Sequence, residues 1–295
     1  MTLEQLRIFV AVAEREHLTQ GAHALNLTQS AVSSAIATLE ARYATRLFDR
    51  IGRRIALTEA GRLFLTEARA VLARAAAAEA VLSDLSGLAR GSLALMASQT
   101  VANYWLPPLI QRFRREHPGI AVSLAIGNTE TVSAAIHDGA ADLGFIEGEI
   151  DDPALAMTAV AEDELVIVVP SGHPWSAAPP IPSELKQAAW VLREPGSGTR
   201  GMFEAALPRL GLTPADLAVA LELPSNEAIC AAVAAGAGAT AISRLVAANA
   251  IAAGLLATVA LPLPKRRFLA LRHKERYLAK AAAAFLALAT PPGAG

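Results

Sequence analysis

The chain has 295 residues, 53% of them apolar and 18% charged, with a formal net charge of −1. That length favours two or three domains over one, and the apolar content excludes a largely disordered chain. The near-zero charge confines any nucleic-acid role to local basic clusters. The most apolar stretch, from Ala231 to Leu263, is interrupted by Ser243, Arg244, Asn249 and several glycines, so no membrane-spanning helix is expected there. Glu4 and Arg7 come early, and no basic–apolar–small leader pattern is present, so the expected location is the cytoplasm. Cys230 is the one cysteine, which excludes an intramolecular disulfide. Its apolar neighbours suit a buried, inert thiol.

In chain order, Leu3, Leu6, Phe9, Val10, Val12 and Ala13 recur at helical spacing and predict an amphipathic first helix. Thr19 is a candidate cap for a short second helix through Ala22 and Leu25, followed by a turn at Asn26-Leu27. Thr28 then caps a third helix whose Val32, Ile36 and Leu39 face inward. Gln29, Ser30, Ser33, Ser34 and Thr38 remain on the outer face. Two short helices joined by a tight turn, with small polar residues outward on the second, form a helix-turn-helix pattern. Glutamine can bond adenine at two points, serine and threonine can bond bases or phosphates, and short side chains allow close approach to a groove.

Arg42, Arg46, Arg50, Arg53 and Arg54 follow, with Asp49 the acidic residue among them. Gly52 suits a turn and residues 53–57 a strand, so this stretch reads as a wing whose Arg50, Arg53 and Arg54 reach phosphates or the minor groove. The plainer alternative is a solvated basic face. From Thr58 a long helix is predicted to about Leu88. Phe64, Ala68, Val71, Ala75, Ala78, Leu82 and Leu85 form a heptad seam along it. Such a helix has nothing to pack on within its own small domain, so the seam calls for a partner helix from a second chain, or else for packing on this chain's own larger domain.

Gly91 ends that helix. Strands are predicted at Ser92–Ala97, Ile120–Ile126 and Asp142–Ile146, with helices from Leu106 to Glu116 and from Val132 to His137 between them. Strands alternating with helices indicate parallel α/β construction. Leu165–Val169 leads into a second lobe with strands at Trp190–Leu192, Ala218–Leu223 and Thr240–Ile242. Arg267–Leu271 returns to the first lobe, and a helix from Tyr277 to about Ala289 ends it. Two lobes joined by two crossings make a cleft able to close on a ligand.

Ligands of such sheets gather where strands end and helices begin, where free amide groups and the helix dipole favour anions. Four segments qualify: Ser98-Gln99-Thr100, Asn128-Thr129-Glu130, Pro195-Gly196-Ser197-Gly198-Thr199-Arg200 and Pro224-Ser225-Asn226-Glu227. Ser197 and Thr199 form the best anion candidate, with ordinary helix capping as the alternative. Glu147, after the third strand, either lines the cleft or serves as a solvated or capping residue. His17, His23, His117, His137, His173 and His273 lack metal-ligand spacing. No Gly-x-x-x-x-Gly-Lys loop and no Gly-x-Ser-x-Gly elbow is present, so no catalytic set, metal or cofactor is expected. An enzyme or solute binder using the same two lobes is the competing class.

Leu3-Glu4-Gln5-Leu6-Arg7-Ile8-Phe9, Leu27-Thr28-Gln29-Ser30-Ala31-Val32-Ser33, Leu39-Glu40, Arg46-Leu47-Phe48-Asp49-Arg50 and Leu57-Thr58-Glu59-Ala60-Gly61 occur in one order over some sixty residues. In that order and spacing the chain resembles the LysR-type transcriptional regulators; Ala44 stands where glycine is common among them. The resemblance implies a multidomain chain. Its parts are an all-α winged helix-turn-helix domain (1–58), a dimerising linker helix (59–88), and an α/β two-lobed effector domain resembling periplasmic binding proteins (91–290). Lobe I then covers about 91–161 and 266–290, and lobe II about 162–265. It also places Ser98 and Thr100 at a ligand position. The expected partners are double-stranded operator DNA, a small anionic effector, further copies of the chain in a dimer and tetramer, and RNA polymerase. Residues 192–200 and 273–278 resemble members governing sulfur assimilation or carbon fixation, which implies a sulfur oxyanion or a phosphorylated or carboxylate metabolite.

Overall fold

A computed structural model describes residues 1–51, 54–85, 91–148 and 150–291. They form two compact units, one built on Met1–Leu85 and the other on the elements from residue 91 to residue 291.

The first unit opens with helix α1 (Leu3–Ala13), fixed by a reciprocal cap in which Thr2 Oγ1 accepts from the Gln5 amide and Gln5 Oε1 from that of Thr2. Helix α2 (Leu18–Ala24) crosses it where Gly21 allows close approach, since a Cβ there would lie 2.6 Å from Val12 Cγ2. The expected cap at Thr19 is not formed. His17 holds that position without a side-chain bond, because the helix begins at Leu18, two residues before a Thr19 cap would start it. Asn26 takes a left-handed conformation (φ 55°) in the turn, and helix α3 (Gln29–Tyr43) follows, capped by Thr28 as its spacing predicts.

Strands β1 (Phe48–Ile51) and β2 (Arg54–Leu57) then pair antiparallel as the wing, so the unit is not purely helical. Glu40 Oε1 accepts from the amides of Leu47 and Phe48 and ties α3 to that hairpin. Phe9, Val12, Val32, Ile36 and Leu39 fill the core beneath.

Ala44 ends α3 at φ 48°. A Cβ is strained there, so Ala44→Gly is expected to stabilise this unit by about 0.5–1 kcal/mol, the relief being partly offset by glycine's larger unfolded-state entropy. A urea titration showing no gain, or a loss, would contradict that.

Helix α4 (Glu59–Leu85) carries the heptad seam. Its first three turns do find a partner within the unit, contrary to expectation: Ala68 is buried and the Phe64 ring lies 4.8 Å from Phe9. Farther along, Val71, Leu82 and Leu85 are exposed, the last two at 69% and 80%. The end expected near Leu88 lies outside the described residues.

The second unit begins with strand β3 (Gly91–Ser98), short helix α5 (Gln99–Tyr104), helix α6 (Leu106–Glu116), strand β4 (Ile120–Gly127), helix α7 (Thr129–Asp138) and strand β5 (Leu143–Glu147). Strand β6 (Leu155–Pro170) is far longer than the predicted Leu165–Val169. Then come helix α8 (Pro182–Gln187), strand β7 (Ala189–Arg193), helix α9 (Gly198–Ala206), strand β8 (Ala218–Leu223), helix α10 (Asn226–Ala234) and strand β9 (Thr240–Ser243). Helix α11 (Arg244–Ala252), strands β10 (Leu256–Thr258) and β11 (Lys265–His273) and helix α12 (Lys280–Ala289) complete it.

The main sheet runs β10-β6-β11-β5-β3-β4, with β9 also on β6 and β7-β8 pairing apart. Strands β3, β4 and β5 are parallel, as the alternation with helices predicts, whereas β6 and β11 pair antiparallel between Leu155 and Glu164. Separate cores identify the lobes. Leu93, Phe113, Phe145, Phe268 and Phe285 pack in lobe I. Ile167, Trp190 and Phe203 pack on one side of lobe II, and Val168, Val191, Ile229 and Ile242 on the other. Strand β6 contributes Val160 to the first core and Leu165 and Ile167 to the second, so Asp163 and its partner Arg266, near one end of the β6–β11 ladder, lie between the lobes.

Candidate functional site

On the first unit, α3 turns Val32, Ile36 and Leu39 inward, which leaves Thr28, Gln29, Ser30, Ser34 and Thr38 exposed and Ser33 half-buried. Thr19 does not cap α2; its hydroxyl donates to Gln29 Oε1 at 3.1 Å across the helix-turn-helix corner. Thr28 Oγ1 accepts from the Ala31 amide and lies 3.1 Å from Ser30 Oγ. Thr38 donates to the Ser34 carbonyl, so it is partly satisfied within the helix. Gln29 is therefore a solvent-facing amide held at one edge, the disposition a two-point contact with a base requires. Arg50 and Arg54 fall on the two wing strands, and Arg53 lies outside the described residues, as does the turn at Gly52.

In the second unit, candidates from both lobes converge on one carboxylate. Glu147, the last residue of β5, is 1% exposed. Its Oε2 accepts from Ser98 Oγ on lobe I, and its Oε1 from Thr199 Oγ1 on lobe II at 3.2 Å. Thr129 Oγ1 donates to the Glu147 carbonyl at 3.2 Å. Gly198 makes this convergence possible, because a Cβ there would stand 2.3 Å from the Glu147 carbonyl oxygen and 2.5 Å from Thr129 Oγ1. Ser197 is the N-cap residue of α9 yet makes no side-chain cap bond, and it is buried, so simple capping does not account for it. The solvated role considered for Glu147 does not hold.

A second cluster lies beside the first. The Asn226 amide donates to Gln99 Oε1 at 2.6 Å, and Asn226 Nδ2 donates to Thr100 Oγ1 at 3.1 Å. Asn226 Oδ1 accepts from Arg193 Nη1 at 2.7 Å. Arg193 in turn grips Glu194 through Nε and Nη2, and Asn128 Nδ2 reaches Glu194 Oε1 at 3.4 Å. Burial raises the Glu194 carboxyl, but the bonds and charge from Arg193 outweigh it and hold the group below its ordinary value. At the rim, Tyr104 Oη donates to Glu227 Oε1 at 3.1 Å; burial, with the Glu227 charge beside it, pushes the phenol up to about 12. Ser225 is committed elsewhere: it caps α10 and donates to Glu227. Burial followed by Glu227 pushes the Cys230 thiol up to about 11, which leaves it protonated and unreactive at neutral pH.

Arg266, Asp163, Arg193 and Ser243 were absent from the sequence-derived set. Arg266 and Asp163 are cross-strand neighbours on β11 and β6, with side chains 0% and 1% exposed. Arg266 Nε donates to Asp163 Oδ2 at 2.7 Å, and Ser243 Oγ donates to Asp163 Oδ1 at 2.9 Å. Arg266 Nη2 lies 2.6 Å from Asp163 Oδ2 without the alignment of a hydrogen bond. Arg266 Nη1 donates to Thr199 Oγ1 at 3.0 Å and stands 3.8 Å from Glu147 Oε1. Strand parity carried the signal. Lys265 and Arg267 are exposed while Arg266 and Phe268 are buried, so extending the predicted strand by two residues turns Arg266 inward.

Among the described residues, no cluster of three or more His, Cys, Asp or Glu side chains could hold a metal, and no helix is long and apolar enough to cross a membrane. A helix-turn-helix unit with a wing, joined in one chain to a two-lobed α/β unit, defines a DNA-binding regulator with an effector domain. Residues 3–62 match the model for bacterial regulatory helix-turn-helix proteins of the lysR family, and residues 86–291 match the LysR substrate binding domain. The chain belongs to the LysR family of transcriptional regulators, and it is a regulator rather than an enzyme.

It is 36% identical over 293 residues to the HTH-type transcriptional regulator YeiE of Escherichia coli, covering 99% of this chain and 98% of that one. It is also 36% identical over 259 residues to a probable RuBisCO transcriptional regulator of Cyanophora paradoxa, covering 86% and 80% of the two chains. Among solved structures, full-length CbnR complexed with its target DNA has the same fold (TM-score 0.68, 21% identity, 98% and 99% covered). The regulatory domain of Synechocystis CcmR in complex with 2-PG matches 68% of this chain and 96% of that one, with a TM-score of 0.62 and 28% identity.

Proposed function

We propose that this protein reads operator DNA with α3 and the wing, dimerises through the exposed seam of α4, and binds a small anionic effector between its lobes. The functional division we infer is 1–58 for DNA binding, 59–88 for the linker, and 91–290 for effector binding. The effector reading is carried by one observation: hydroxyls from both lobes, on Ser98 and Thr199, meet at a single carboxylate beside a buried guanidinium. Hydroxyls and a guanidinium so arranged are what an oxyanion or carboxylate ligand needs. Because the two hydroxyls belong to different lobes, a ligand held by both favours closure, and differential affinity for the closed form is what shifts a regulator between states.

Similarity to a domain in complex with 2-PG supports a small phosphorylated or carboxylate metabolite, and the resemblance of residues 192–200 and 273–278 to members governing sulfur assimilation adds a sulfur oxyanion. Thermal-shift titration with sulfate, sulfite, thiosulfate, phosphate and short organic acids tests this, followed by gel shifts of genomic promoter fragments with and without each hit. A hit is expected to raise the melting temperature and alter the promoter complex. No hit in the panel, or one that survives in a Ser98→Ala/Thr199→Ala variant, would reject the site. RNA polymerase is the partner on which such a DNA-bound regulator would act.

The dimer reading rests on Leu82 and Leu85, which stand exposed three residues apart on the same seam of α4. Each contributes about 1.5–3 kcal/mol when fully buried, so Leu82→Glu with Leu85→Glu is expected to weaken self-association by about 100-fold or more. Light scattering across a concentration series measures this, and an unaltered dimer would place the interface elsewhere.

A further inference from the structure

We propose that Glu147 is an internal occupant of the effector position, held against the guanidinium of Arg266, and that an effector anion binds by displacing its carboxylate. This rests on the cleft being the effector site. Glu147 is tethered to β5, yet its two oxygens do what a bound carboxylate or oxyanion would do. One takes the hydroxyl of Ser98 from lobe I, and the other takes that of Thr199 from lobe II. The residue therefore links the lobes as a ligand would.

The charges show why it is the displaceable partner. One guanidinium faces two carboxylates in a region closed to solvent, where an ion not matched by a partner is costly. Asp163 has the firmer hold: it lies opposite Arg266 in the β6–β11 ladder, bonds Nε at 2.7 Å, and is braced by Ser243. Glu147 reaches the same guanidinium only at 3.8 Å. Arg266 Nη1 is directed at the Thr199–Glu147 side, so any anion taking the place of the Glu147 carboxylate meets the same donor. Rotation about the Glu147 side-chain bonds would clear the position without moving β5, since Thr129 anchors its carbonyl independently.

The ligand class that follows is a compact anion with two oxygens on one atom, a carboxylate, sulfur oxyanion or phosphate. Arg266 is then a positioning residue for both occupants. The opposite arrangement would make Glu147 itself a binding group, accepting from a hydroxyl or ammonium on the effector.

The two arrangements give opposite results in Glu147→Ala. Calorimetric titration of the full-length protein with sulfate and with inorganic phosphate is expected to show at least tenfold tighter binding in Glu147→Ala than in the native chain. Glu147→Gln, which keeps the shape and removes the charge, should fall between them and guards against a misfolded alanine variant. Adding Ser98→Ala and Thr199→Ala to Glu147→Ala should abolish the gain. Equal or weaker binding in both Glu147 variants, or no binding of either anion by any form, overturns the proposal. If Ser98→Ala/Thr199→Ala weakens binding in the native background while Glu147→Ala gives no gain, the cleft reading survives and the displacement falls. A gain that persists without the two hydroxyls puts the anion elsewhere, and both fall together.

Discussion

Gln29→Ala is expected to lower the ratio of specific to nonspecific DNA affinity by about 5- to 150-fold, the equivalent of the 1–3 kcal/mol that a two-point amide–adenine contact supplies. Gln29 opens α3 with its side chain exposed, and Thr19 from the neighbouring helix orients its amide through a 3.1 Å hydrogen bond. The residue carries no charge, so the nonspecific component and its dependence on salt should be preserved, because these follow from phosphate neutralisation by lysine and arginine. Competitor titration at two salt concentrations separates the terms. Thr19→Val should reproduce part of the loss, since it frees the amide to rotate without removing it. If the ratio is unaltered in Gln29→Ala, the residue does not read sequence, and the exposed serines of α3 would have to carry discrimination.

The second large effect is on the buried charges. Arg266→Leu is expected to destabilise the effector domain by about 3–5 kcal/mol, because it leaves Asp163 and Glu147 inside the protein with no cation. Removing both members of the cross-strand pair, Arg266→Leu with Asp163→Leu, should cost much less than the two single losses added together. An ion pair taken out whole leaves fewer stranded charges than one broken in half. Urea unfolding of the single and double variants measures the coupling. Additive losses would mean that the pair contributes through its neighbours and not through mutual neutralisation. The double variant should also lose anion binding, since Glu147 and the effector depend on the same guanidinium.

Much of this molecule could be read in advance because its elements obey local rules. Thr28 caps α3 because a hydroxyl at that spacing reaches the Ala31 amide, and the inward set Val32, Ile36, Leu39 follows from helical periodicity. The run from β3 to β5 was recognisable because each strand is apolar and each break carries a turn residue. The misses have a common cause. Thr19 looks like a cap in isolation, and only the approach of α3 assigns its hydroxyl to Gln29. The first turns of α4 look unpartnered until α1 presents Phe9 to Phe64. Strand β6 extends ten residues before its predicted start because β11 pairs with it from Leu155 to Glu164, which rescues an acidic stretch, Glu162-Asp163-Glu164, that has weak strand propensity of its own.

By itself, then, the sequence determined the three N-terminal helices, the alternating strands and helices of lobe I, the solvent-facing polar surface of α3, and the small set of hydroxyl and amide residues from which a binding cleft could be made. These depend on spacing and on contacts with near neighbours, which a linear string records directly. The tertiary structure alone decided which of those residues meet. Ser98, Glu147 and Thr199 converge from separate segments, and Arg266, between two exposed basic residues, becomes the buried cation beside them. Burial and charge pairing between distant segments depend on how strands register across the sheet, and that register is a property of the folded chain as a whole.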